Sequence, residues 1–60
     1  MKEETKKWLE KVRQKPTLSE YERNRISLLA DDYNVPMSRM MGEQRYYIAA
    51  ADILRKINET

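Results

Sequence analysis

Between Tyr46 and Leu54, eight of nine consecutive residues are apolar and the only charge is Asp52. Wound as an α-helix, this stretch carries apolar side chains around most of its circumference. A surface helix shows a single apolar stripe, and one that is apolar on several sides has to be covered on several sides. In a chain of 60 residues there is little material to do that. A domain of this size buries only about 60% of the surface that its unfolded chain exposes. Disulfides, metals or partner subunits commonly make up the difference. The chain has no cysteine and no histidine, which removes the disulfide and the thiolate or imidazole zinc site. Tight helix packing and self-association remain. The expectation is that two helices cover one side of this segment and a second subunit covers the other.

The pattern of apolar residues predicts an all-α, three-helix domain formed by the whole chain, 1–60, with residues 1–2 and 59–60 frayed. The first helix spans about 3–14. Its apolar positions, Trp8, Leu9 and Val12, are too few to hold it alone, so Trp8 has to dock on the rest of the domain. Pro16 ends the helix by pushing the preceding residue away from helical angles. The second helix spans about 17–33. Thr17 and Ser19 each precede a glutamate by three residues, Glu20 and Glu22, so both fit a capping box. Thr17 is preferred because it follows Pro16. Ile26, Leu29, Ala30 and Tyr33 keep the i, i+3, i+4, i+7 spacing, with Leu18, Tyr21 and Leu28 widening that face. Asn34 is the expected left-handed stop, and Val35-Pro36 makes a turn. The third helix spans about 37–58 and is either continuous or broken near Gly42, where glycine costs about 1 kcal/mol against alanine. Asp52 and Lys56 are spaced for an i,i+4 ion pair.

Chemistry is sparse. Without histidine or cysteine the commonest general base and the best nucleophile are missing. Adjacent carboxylates such as Asp31 and Asp32 diverge by about 100° on a helix, so they form no catalytic pair. A chain this short also has difficulty enclosing a pocket of ~300 Å³. These features point to a binding module and not an enzyme, with no cofactor and no metal. Met1-Lys2-Glu3-Glu4 is charged and no apolar run follows, which argues against a signal peptide. No stretch approaches the ~18 apolar residues of a membrane span. The expected location is the cytoplasm. Net charge is only +2, but residues 1–25 hold eight basic and five acidic side chains and residues 26–60 four and five, so the basic excess lies at the front.

The segment Leu29-Ala30-Asp31-Asp32-Tyr33-Asn34-Val35-Pro36-Met37-Ser38-Arg39-Met40 resembles the helix-turn-helix of DNA-binding regulators. Ala30 falls where that motif has a small residue at the helix crossing, Asn34 opens the turn, and Val35 and Met40 take the apolar positions that follow. The logic is that two steeply crossing helices need a small contact residue and a tight turn. The resemblance covers residues 26–46, about a third of the chain. It implies a recognition helix over 37–47 that presents Ser38, Arg39, Glu43, Gln44 and Arg45. Arginine and glutamine suit bidentate contacts to base edges. Tyr46 and the basic residues Lys6, Lys7, Lys11, Arg13 and Lys15 would reach phosphates. The same phrase is also similar to the closing helices of Cro-type repressors, where it packs the core and leaves DNA untouched.

Two functions from different classes follow. The first is a DNA-binding regulator acting as a homodimer on duplex DNA, with Ser38, Arg39, Gln44, Arg45, Lys7 and Lys11 at the nucleic acid. The second is a small adaptor or inhibitor of a larger protein, of a size that suits a phage. Its interface would use Tyr46, Tyr47, Met41, Ile53 and Ile57, because neighbouring tyrosines on a helix cannot both face one core and tyrosine is a favoured interface anchor. Met37, Met40 and Met41 read as core or interface filling. A structural assembly subunit is a third alternative.

Overall fold

The computed structural model describes residues 2–37, 39 and 41–59, and over these the chain is an all-α domain of three helices. They are α1 (Lys2–Val12), α2 (Glu20–Asp32) and α3 (Gln44–Glu59). Lys2 and Glu59, expected to fray, open α1 and close α3; Met1 and Thr60 lie outside the described residues.

α1 has Glu3 and Glu4 in its first turn and Lys11 in its last, the arrangement that complements the helix dipole. It ends tightly: the N–H groups of Gln14 and Lys15 donate to the carbonyls of Lys11 and Val12 at 3.2 and 3.1 Å, which satisfies two of the orphan carbonyls of a helix end. Leu9 and Val12 are buried and Trp8 packs against the core they belong to, so the helix docks as its short apolar stripe required.

Ser19, not Thr17, caps α2. Its side chain accepts from the Glu22 N–H, and the Glu22 carboxylate accepts from the Ser19 N–H in a complete capping box. The reason is Leu18, which is buried. The chain stays extended through Ser19 (φ −76°, ψ 166°), and this puts Leu18 into the core before the helix begins. A helix opened at Thr17 would make Leu18 its first residue. At the other end, Asn34 is left-handed with φ 58°, as expected. The Val35 N–H donates to the Ala30 carbonyl at 2.7 Å and the Asn34 N–H to the Asp31 carbonyl at 3.2 Å. These two bonds are a Schellman end, and the apolar residue after the stop packs under the helix. Val35 is buried accordingly.

The third helix starts at Gln44, seven residues later than the continuous alternative and just past Gly42, where the other alternative placed a break. Gly42 sits at φ 75°, a left-handed angle that no helix interior contains, so a helix from 37 cannot run through it. The described residues between Asp32 and Gln44 form turns and loop. This loop doubles back: Glu43, at its end, lies 3.6 Å from Arg23 in the first turns of α2. α2 and α3 therefore begin at the same end of the molecule.

α3 packs against both α1 and α2, which meet each other much less. Its side chains Ala49, Ala50, Ile53, Leu54 and Ile57 join Leu9, Val12, Leu18, Ile26, Ala30 and Val35 in one core. Two consecutive alanines, both fully buried, let neighbouring backbones come close. Ala49, Ala50, Ile53, Leu54 and Ile57 of α3 are thus covered within one molecule, by α1 and α2, while Ile48 on its outward side stays 38% exposed.

A candidate protein-contact face on α2

Several residues expected at an interface are in the core instead. Ile53 and Ile57 are buried, because the side of α3 that runs from Ala49 to Ile57 is packed by α1 and α2. Tyr46 and Tyr47 are half-buried and pack on the core edge. The Tyr47 hydroxyl donates to the Lys15 carbonyl at 2.7 Å, and burial raises its pKa, followed by the negative charges of Glu43 and Glu22. Arg45 lies over the Tyr46 ring at 5.0 Å and donates to its hydroxyl at 3.1 Å. Of the expected contact residues, Met41 alone is strongly exposed, at 90%.

Of the residues assigned to DNA, Arg39, Gln44, Arg45, Lys7 and Lys11 are all exposed; Ser38 lies outside the described residues, as does Met40. The structure does not set them on one helix. Arg39 is in the loop, Gln44 and Arg45 open α3, and Lys7 and Lys11 stand on α1. Ala30, Asn34 and Val35, the residues that carry the resemblance to a helix-turn-helix, make the Schellman end of α2. The described residues between Asp32 and Gln44 form turns and loop and none is helical.

The outward side of α2 presents what sequence reasoning assigned to the core. Tyr21 and Leu28 are exposed at 65% and 66%. Both stand roughly 140–160° around the helix from Ile26, at ~100° per residue, so the spacing itself was the signal. Between them Arg25 is fixed from two sides. Its guanidinium carbon lies 4.4 Å above the centre of the Trp8 ring, and its Nη1 donates to the Tyr21 hydroxyl at 3.3 Å. A cation on a tryptophan face is worth ~0.5–1 kcal/mol where water reaches it. Tryptophan, tyrosine and arginine are the residues most enriched at the energetic centres of protein interfaces. Here all three lie together beside an exposed leucine. On α3 the outward apolar contribution is Ile48, at 38% exposure.

A polar cluster closes the far side of the fold. Lys15 forms an ion pair with Glu22, whose carboxylate also accepts from the Ser19 N–H at 2.9 Å. The Lys15 contact, then the Ser19 N–H, hold the Glu22 pKa below the ordinary glutamate value. Arg23 donates to the Leu18 carbonyl at 3.2 Å. Asp52 pairs with Arg55 at 3.0 Å and not with Lys56 as its spacing suggested. Two open hollows mark the surface. One, of about 220 Å³, is lined by Arg23, Gly42, Glu43, Arg45 and Tyr46. The other, of about 380 Å³, is lined by Ala30, Asp31, Asn34, Val35 and Pro36. Among the described residues there is no cluster of side chains that could hold a metal ion, and no helix is long and apolar enough to cross a membrane. No protein-family model matches the chain, and no curated protein or solved structure is significantly similar to it.

Proposed function

We propose that the chain is a small, non-enzymatic, cytoplasmic binding module whose contact surface for another protein is the outward side of α2 with the adjoining edge of α1. The observation that carries this reading is the Trp8–Arg25–Tyr21 arrangement beside Leu28. Two large apolar side chains are about two-thirds exposed, and the arginine between them is already immobilised. Pre-ordering a side chain lowers the entropy lost on binding. The test has two arms. Proteins selected for binding to the wild-type chain are re-measured against Tyr21→Ala and Leu28→Ser. Loss of a central aromatic anchor should weaken binding by about tenfold or more. Binders that are indifferent to both changes would overturn the assignment of the surface.

Duplex DNA binding is the second reading. Its specific support is that Arg39, Gln44 and Arg45 are all exposed in the segment that leads into and opens α3. Its second arm is a titration with random duplex at low salt. A DNA binder shows affinity that falls steeply as salt rises, and loses it when Arg39 and Arg45 are changed to alanine with the fold intact.

A further inference from the structure

Tyr21, Arg25, Leu28 and Asp32 stand at i, i+4, i+7 and i+11 on α2. This is the spacing of the seam between two packed helices. Tyr21, Leu28 and Asp32 are exposed and Arg25 is half-buried. Asp32 has no ion-pair partner among the described residues. Arg25 and Asp32 cannot pair within the chain, because seven residues of helix separate them by ~10 Å along the axis.

The order of charges along this stripe is self-complementary. The midpoint of positions 25 and 32 falls between Leu28 and Leu29. Turn a second α2 end over end about that point, and Arg25 of each copy lies opposite Asp32 of the other, while the two Leu28 side chains meet beside the axis. A two-fold contact of this kind uses the same patch on both molecules. Tyr21 then faces the segment just past the end of the other α2, where Pro36 is exposed.

We infer that this stripe is a homodimer contact: two copies of the chain pair through antiparallel α2 helices, with Leu28 at the two-fold axis and Arg25 against the partner's Asp32 on either side. This rests on the reading of the α2 face as a protein-contact surface, and names a second copy as its occupant. Charge order decides in favour of that occupant. A generic apolar ligand would need only Tyr21 and Leu28, and would leave Asp32 unmatched. The contact is small, at the lower end of the range for specific interfaces (below about 1,200 Å² in total), so the dimer dissociates on dilution.

Sedimentation velocity across the micromolar to millimolar range tests it. The wild-type mass should climb from 7.3 kDa towards twice that value. Asp32→Arg sets arginine against arginine and should weaken the dimer by at least about tenfold. The double variant Arg25→Asp/Asp32→Arg should restore it, and circular dichroism checks that both variants remain helical. Because the chain has no cysteine, Leu28→Cys supplies a direct readout that leaves Arg25 on Trp8. Under mild oxidation it should form a covalent dimer far faster than Ser27→Cys, which points ~100° away. The proposal is overturned if the wild type stays at 7.3 kDa at millimolar concentration, or if Leu28→Cys couples no faster than Ser27→Cys. It is also overturned if a dimer forms that ignores Asp32→Arg. Should the chain stay monomeric while a foreign protein binds the wild type and not Leu28→Ser, a second copy is excluded and the contact face itself stands.

Discussion

The Tyr47 hydroxyl donates to the backbone carbonyl of Lys15 at 2.7 Å, across 32 residues of sequence. Lys15 simultaneously holds Glu22 with its ammonium group, so one residue of the first interhelical loop ties the start of α2 to the start of α3. The Lys15 side chain is half exposed, at 45%, and water can replace part of what the tyrosine supplies. Tyr47→Phe should therefore cost about 0.5–1.5 kcal/mol, the ordinary net worth of one hydrogen bond. Urea unfolding checks this: the midpoint should fall with an unchanged slope.

Acid should loosen the same junction. The folded-state pKa of Glu22 lies below its ordinary value, chiefly through Lys15 and next through the Ser19 N–H. For a lowered carboxylate, the stabilisation is complete above the unfolded pKa and disappears as pH falls through the folded one. Wild-type stability should thus decline below about pH 5, in the range where glutamates take up protons. Glu22→Gln should be less stable than wild type at neutral pH, and its stability should change less over that acid range. Thermal unfolding at a series of pH values separates the two curves.

The start of α2 can be tested by a pair of single changes. Ser19→Ala removes the cap acceptor of the Glu22 N–H and should cost about 1 kcal/mol. Thr17→Ala, at an exposed position outside the helix, should stay within about 0.5 kcal/mol of wild type. A larger loss at Thr17 than at Ser19 would place the helix start two residues earlier.

Ile53 and Ile48 lie on opposite sides of α3, one fully buried and the other 38% exposed. Ile53→Ala should destabilise by about 2–5 kcal/mol at any protein concentration, as the loss of a packed core side chain does. Ile48→Ala should change stability by no more than about 0.5 kcal/mol. If the effect of Ile53→Ala faded on dilution, the residue would belong to a subunit contact and not to the monomer core.

Gly42 has a positive φ of 75°, and a Cβ built on it meets no atom within 4 Å. Any cost of Gly42→Ala is therefore conformational and not steric crowding by neighbours. It should be of the order of 1–2 kcal/mol, the penalty for placing an L-residue in the left-handed region, and it should be visible as a lower denaturation midpoint.

The helical architecture was legible in the sequence because its signals are local. Asn34 stops α2 through a backbone angle that few residues tolerate, and Trp8, Leu9 and Val12 announce a stripe that has to dock. What was not legible depends on neighbours. The apolar arc of α3 can be counted from Tyr46 to Ile57, but which surface covers it is a matter of chain path. The loop that returns the chain to the start of α2 lays the buried side of α3 against α1 and α2, which supply the cover. Met37 extended the apolar pattern of α3 backward, although Gly42 cut it. Thr17 and Ser19 both fitted a capping box and Pro16 favoured Thr17, whereas the burial of Leu18 selects Ser19. The candidate site was missed because Tyr21 and Leu28 were counted with the core on hydrophobicity, when their angular distance from Ile26 sets them outside it.

α3 is the element on which both of the other helices pack, and α1 and α2 offer each other little. This bears on how the domain can fold. A nascent chain that has displayed α1 and α2 still lacks the surface on which either can settle. Isolated helices of this length are marginal in water, so both depend on the stretch around Ile53 for their packing. Unfolding should then be a single cooperative event, and a fragment that stops ahead of Ala49 would leave α1 and α2 without the helix on which both pack.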